Sequence, residues 1–140
     1  MRFGMAIQLT DKEQELVQLA DSNASRQLTA LNDVWSFEKE VLASETLDRE
    51  GGVLCNSVTI LASEIGLSEM GTKRMLAHIS REYETRHGQL TETVLRSAAA
   101  AGSDDESIEK LRLYLKGLEC QMSGNEAWSK ITHRYISNGN

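Results

Sequence analysis

Apolar residues recur at three- and four-residue spacing along nearly the whole chain, and no stretch keeps the strict alternation of a half-buried strand. The pattern predicts an all-α protein, and the absence of proline agrees with it. Thr10-Asp11-Lys12-Glu13 has the form of a capping box, in which a hydroxyl and a carboxylate three residues apart satisfy each other's backbone N–H, opening a short helix through about Ala20. A second helix is expected from about Asn23 to Ala43, with Leu28, Leu31, Trp35 and Leu42 as its apolar stripe. The charged and glycine-containing stretch 44–52 reads as a loop. Leu54, Val58, Leu61 and Ile65 mark a third helix, closed by Gly66 in the left-handed conformation. Ser68 is placed to cap a long fourth helix with Leu76, Ile79, Tyr83, Leu90 and Val94 on one face. After a small-residue and acidic break at 98–105, a final helix presents Ile108, Leu111, Leu115, Leu118 and Met122 and continues towards Thr132.

At 140 residues the chain is the size of one domain and could bury roughly two-thirds of its unfolded surface. A net charge of −6, with both signs scattered, argues against a nucleic-acid surface. No apolar run approaches the roughly 20 residues of a membrane span, and the first seven residues are too short and weakly apolar for a secretory signal. A cytoplasmic protein without a membrane span is expected. Cys55 and Cys120 stand apart within apolar helical patterns, which reads as two buried thiols in a reducing compartment. His78, His87 and His133 share no zinc-ligand spacing, and His87 falls near an apolar stripe, as a hydrogen-bonded core histidine would. Tyr83 likewise reads as core.

The second helix carries a polar pattern that its packing does not require. Asn32, Ser36 and Glu40 stand at i, i+4 and i+8, each rotated by about 40° from the last, so all three project from one arc about 12 Å long. Amide, hydroxyl and carboxylate oxygens form a donor set suited to a small hard cation such as Mg²⁺. Lys39, seven residues after Asn32, returns to nearly the same face, and a cation beside a metal suggests a phosphate-bearing ligand. The competing reading is a solvated helix face. Near the other end, Trp128-Ser129-Lys130-Ile131-Thr132-His133-Arg134-Tyr135 offers a guanidinium whose planar fork matches phosphate oxygens, and an indole that can face a cation. Here the alternative is a core tryptophan and a surface arginine at a helix C-terminus.

Together these motifs, N-D-x-x-S-x-x-x-E followed after a long helical interval by W-S-x-x-x-x-R-Y, resemble the class I terpene synthases, most nearly the fungal enzymes. The resemblance implies the C-terminal part of that family's helical bundle, with residues 1–140 forming a partial cyclase domain and 1–9 and 136–140 poorly ordered tails. It implies Asn32, Ser36 and Glu40 as Mg²⁺ ligands, and Lys39 and Arg134 on the substrate diphosphate with Tyr135 supporting that end. Trp128 would line the pocket that holds the carbocation, and Trp128 and Tyr135 are the implied catalytic residues. The reaction implied is a lyase reaction: metal-assisted ionisation of a prenyl diphosphate, loss of diphosphate and cyclisation of the allylic cation.

The sequence departs from the family at one point of weight. No aspartate-rich D-D-x-x-D/E motif precedes Asn32, and Arg2 and Arg26 lack the context of the family's upstream diphosphate-sensing arginine. Asp104-Asp105-Glu106 lies far downstream, where it reads as a helix cap. A chain lacking its N-terminal half is therefore expected to be incompetent alone, with a non-catalytic helical remnant or interaction module as the alternative. Apolar faces left uncovered by missing helices would favour self-association.

Overall fold

The computed structural model describes residues 7–46 and 56–131, with the backbone alone for Glu45 and Thr46. The described residues form four helices and no strand: α1 (Asp11–Thr46), α2 (Ser57–Ile65), α3 (Glu69–Ala100) and α4 (Asp105–Ile131). α1 packs along both α3 and α4, while the short α2 lies against α1 and α3. No helix among the described residues is long and apolar enough to cross a membrane.

Local chemistry sets most helix ends. The Thr10 N–H donates to Glu13 Oε2 at 2.7 Å and the Glu13 N–H to Thr10 Oγ1 at 3.3 Å, the reciprocal capping box. Glu13 also reaches Lys110 of α4 at 2.8 Å. Burial pushes the Glu13 carboxyl up, but its bonds from Lys110 and Thr10 outweigh that and hold it below its ordinary value. Gly66 closes α2 at φ +67°, a left-handed conformation that a Cβ disfavours. Ser68 Oγ accepts from the Gly71 N–H at 3.1 Å to start α3. Asp104 Oδ1 accepts from the Ser107 N–H at 2.8 Å, so the downstream acidic run is indeed a cap. That bond holds its carboxyl below the usual range.

The expected break between two helices at 20–23 does not occur; α1 is continuous for 36 residues, about 54 Å. Asp21 and Asn23, which read locally as boundary residues, are consumed by tertiary bonds instead. Asp21 Oδ1 accepts from the Tyr114 hydroxyl at 2.6 Å, and Asn23 Nδ2 donates to the Tyr83 carbonyl at 2.8 Å. The α1 stripe also differs from expectation. Leu31 is buried and Leu28 half-buried, but Leu42 is 61% exposed, and Phe37 with the partly buried Val41 holds the inner face there.

Among the described residues two apolar clusters result. The larger joins Leu9, Val17, Ala20 and Ala24 to Val94 and Ala98 of α3 and to Leu111, Tyr114, Leu115, Leu118 and Met122 of α4. Leu9, within the expected N-terminal tail, is thus buried. The smaller joins Ala30 and Phe37 of α1 to Val58 of α2 and Leu76 of α3. Tyr83 and Leu90 pack against the larger cluster, and His87 is buried with Nε2 3.1 Å from the Leu115 carbonyl, as a core histidine. Cys120, by contrast, is an exposed free thiol, because its position on α4 falls between the inner-face residues Leu118 and Met122. Cys55 lies outside the described residues. Large apolar side chains remain on the surface, among them Leu19, Leu42, Ile60, Met70 and Ile131.

Candidate functional site

The Asn32–Glu40 stretch lies uninterrupted within α1, which keeps its polar arc in register. The arc crosses from solvent to interior. Asn32 is exposed, Ser36 is buried, and Glu40 is half-buried. The Ser36 hydroxyl is buried without a hydrogen-bond partner, a costly state for a polar group unless something else supplies a contact. Lys39 projects into solvent beside it.

What faces this part of α1 is the N-terminus of α2. Asn56 is fully buried and caps α2, its Oδ1 accepting from the Val58 N–H at 2.9 Å. Its Nδ2 donates both to the Asp33 carbonyl, at 3.0 Å, and to Glu40 Oε2, at 2.9 Å. Asp33 in turn accepts from the Ser57 N–H at 3.0 Å and from the Ser57 hydroxyl through the same Oδ2. The helix turn after Asn32 therefore divides its labour. Asp33 is rotated by about 100° from Asn32 and grips α2, while Asn32 stays on the solvent side.

A second polar contact braces the same segment against α3. Lys73 pairs with Glu38 and lies 4.8 Å from the centroid of the Phe37 ring. Burial raises the Glu38 carboxyl, but the hydrogen bond from Lys73, a backbone hydrogen bond and the Lys73 charge together outweigh it and leave the group below its ordinary value. Towards the far end of α4, Arg81 grips Glu126 through both terminal nitrogens, at 2.8 and 2.6 Å, and also reaches Glu84 at 2.9 Å. The hydrogen bond from Arg81 holds the Glu126 carboxyl below the usual range, with Lys130 adding to the effect at 2.8 Å.

Of the residues singled out from sequence, Asn32, Ser36, Lys39 and Glu40 are thus brought together on one helix. Trp128 lies on α4 and is 47% exposed, so the core alternative does not hold for it. Arg134 and Tyr135 lie outside the described residues. Among the described residues no three His, Cys, Asp or Glu side chains gather into a metal site, so a donor set there must draw on amide and hydroxyl oxygens.

No protein-family model matches the sequence. Individual relatives do. The chain is 45% identical over 135 residues to a (+)-aristolochene synthase of Penicillium expansum, an alignment covering 96% of this chain and 39% of that protein. It is 30% identical to the variediene synthase of Aspergillus brasiliensis, over 96% of this chain and 19% of that one. In three dimensions it matches the crystal structure of aristolochene synthase from Penicillium roqueforti with a TM-score of 0.74 and 35% identity, over 95% of this chain and 40% of that one. The chain belongs to the class I terpene synthase family.

It spans between 38% and 40% of the length of the aristolochene synthases it matches. For a terpene synthase chain, the residues missed at the sequence level are Asn56 and the Asp33–Ser57 pair. Asn56 directly before the Ser57-Val58-Thr59-Ile60 run is legible as an N-cap. Its reach to Glu40, 16 residues away, leaves no mark in the pattern.

Proposed function

We propose that this chain carries the second metal-binding half of a Mg²⁺-dependent terpene cyclase site, acting on a prenyl diphosphate. The observation that carries the reading is the buried, unpartnered Ser36 hydroxyl standing between Asn32 and the half-buried Glu40 carboxylate on one helix arc. A hydroxyl in that condition fits a cation ligand. A solvated helix face, the competing reading, would leave the same hydroxyl in water. Asn32, Ser36 and Glu40 would hold one Mg²⁺, which supplies electrostatic stabilisation of the departing diphosphate.

The chain's own residues would do the rest by position. Lys39 extends from the same face and would contact diphosphate oxygens as a point charge. Arg134 would grip the same group through its fork, with Tyr135 beside it. Trp128 would turn an indole face towards the allylic cation, shielding it from water while it cyclises.

The chain is proposed to be incompetent alone. It spans about two fifths of its relatives, and no aspartate-rich motif precedes Asn32 to supply the remaining metal ligands. A second reading, a helical interaction module derived from a terpene synthase, is favoured by the large apolar side chains left exposed, including Leu19, Leu42, Ile60 and Met70.

Three measurements test these readings. The first is binding of Mn²⁺, as a paramagnetic stand-in for Mg²⁺, in the presence of inorganic pyrophosphate. Glu40→Gln should weaken it by more than about tenfold, and equal binding by both chains would refute the assigned ligand. The second is incubation with Mg²⁺ and prenyl diphosphates of several lengths. No cyclised hydrocarbon is expected, and robust terpene output would overturn the incomplete-site argument. The interaction module requires self-association by light scattering together with absent metal binding.

A further inference from the structure

We propose that Asn56 is a positioning residue for Glu40: it holds one oxygen of that carboxylate in place so that the group meets the metal already oriented. The inference rests on the metal reading of Asn32, Ser36 and Glu40 and names a residue outside that motif.

The geometry is specific. Asn56 is fully buried, and three of its four amide hydrogen-bonding positions are engaged across two helices. One of them, to the Val58 N–H, is ordinary helix capping, and any short acceptor at this position would provide it. The other two come from Nδ2 and have nothing to do with capping. They tie α2 to the Asp33 carbonyl and to Glu40 Oε2, which stand almost two helical turns apart on α1. An amide N–H donated to Oε2 leaves Oε1 for a cation and removes much of the rotamer freedom a long carboxylate side chain would lose on binding.

The Asp33–Ser57 pair completes the clasp from the neighbouring residue. With both Ser57 donors on Asp33 Oδ2, the α2 N-terminus cannot slide along α1 without breaking both contacts. Asp33 is rotated off the Asn32–Ser36–Glu40 arc and turns its Oδ2 to α2, and the clasp places Asn56 within reach of Glu40.

The test separates capping from positioning. Asn56→Ser keeps an acceptor for the Val58 N–H but removes the amide donor, and Asn56→Asp does the same at unchanged side-chain size. Mn²⁺ binding with inorganic pyrophosphate is measured on the full chain, with helix content followed by circular dichroism. Both variants should keep their helix content and bind Mn²⁺ about tenfold more weakly. In a Glu40→Gln background, Asn56→Ser should add little further loss, because the two residues act on one interaction. Unchanged Mn²⁺ affinity in folded variants, with loss in Glu40→Gln, would overturn the positioning role and leave the metal reading intact. Collapse of the helix signal in both variants would reduce Asn56 to a folding residue and overturn it too. Absence of Mn²⁺ binding by the unaltered chain would instead overturn the metal reading, and the positioning role with it.

Discussion

The two ends of this bundle are held by different chemistry. Around α4, the inner faces of α1 and α3 meet a continuous apolar seam in which Leu111, Leu115, Leu118 and Met122 are all buried. Around α2, the described residues Ala30, Phe37, Val58 and Leu76 form a smaller buried apolar cluster, flanked by Val34, Val41 and Leu61, and polar contacts help to locate the helix. Asn56 and Ser57 dock it on α1, while Lys73 braces the same turn from α3. The candidate site lies at the second end. Directional bonds can set a carboxylate to a fraction of an ångström, whereas apolar burial is non-directional and sets only which faces meet. A segment stabilised mainly by polar contacts also opens at lower free energy than a packed core.

Truncations in the two clusters give the largest expected effects. Leu111→Ala, at a fully buried position against α1, should cost about 3–5 kcal/mol in urea unfolding, the upper part of the range for such cavities. Leu76→Ala, in the smaller cluster, should cost about 2 kcal/mol, the lower part of the same range. Equal losses would break the comparison. Amide hydrogen exchange sharpens it without mutation: protection across 57–65 should fall well below that across 111–122.

Glu13 comes next. Its carboxyl lies below its ordinary value of 4.5 in the folded chain, so its contribution is fully present above about 4.5 and is lost as pH falls through the lower folded value. The melting temperature should therefore begin to drop below about pH 4.5. Glu13→Gln should cost about 1 kcal/mol at neutral pH and flatten that acid limb. An unchanged limb would show that the α1 cap and its tie to α4 contribute nothing to stability. The smallest effect is expected at the Arg81–Glu126 clasp, where Arg81 is more than half exposed. Arg81→Gln should cost about 0.5 kcal/mol, shrinking further in high salt. A loss that persists in high salt would show that unscreened hydrogen bonding locates α4 at this end, as it does α2.

The residues fall into two classes of legibility. The capping box at Thr10, the Gly66 stop, the Ser68 start and the Asp104 cap were readable because each depends on neighbours within a few positions. The α4 stripe was readable because a helix repeats its inner face every three or four residues. Asp21 and Asn23 misled for the complementary reason. Short polar residues look like a boundary until Tyr114 and the Tyr83 carbonyl claim them from other helices. Cys120 misled because a position two residues from Leu118 lies off the inner face, although the surrounding sequence is apolar.

The sequence by itself determined the helical class, most helix ends, the Asn32–Ser36–Glu40 arc and the family resemblance, since all of these are carried by residue type at fixed short spacing. Only the tertiary structure decided that Ser36 is buried without a partner, that Asp33 faces α2, and that Asn56 reaches back to Glu40. Those facts depend on how two helices meet. A contact between residues 16 positions apart across a connecting segment has no period that a one-dimensional pattern can carry.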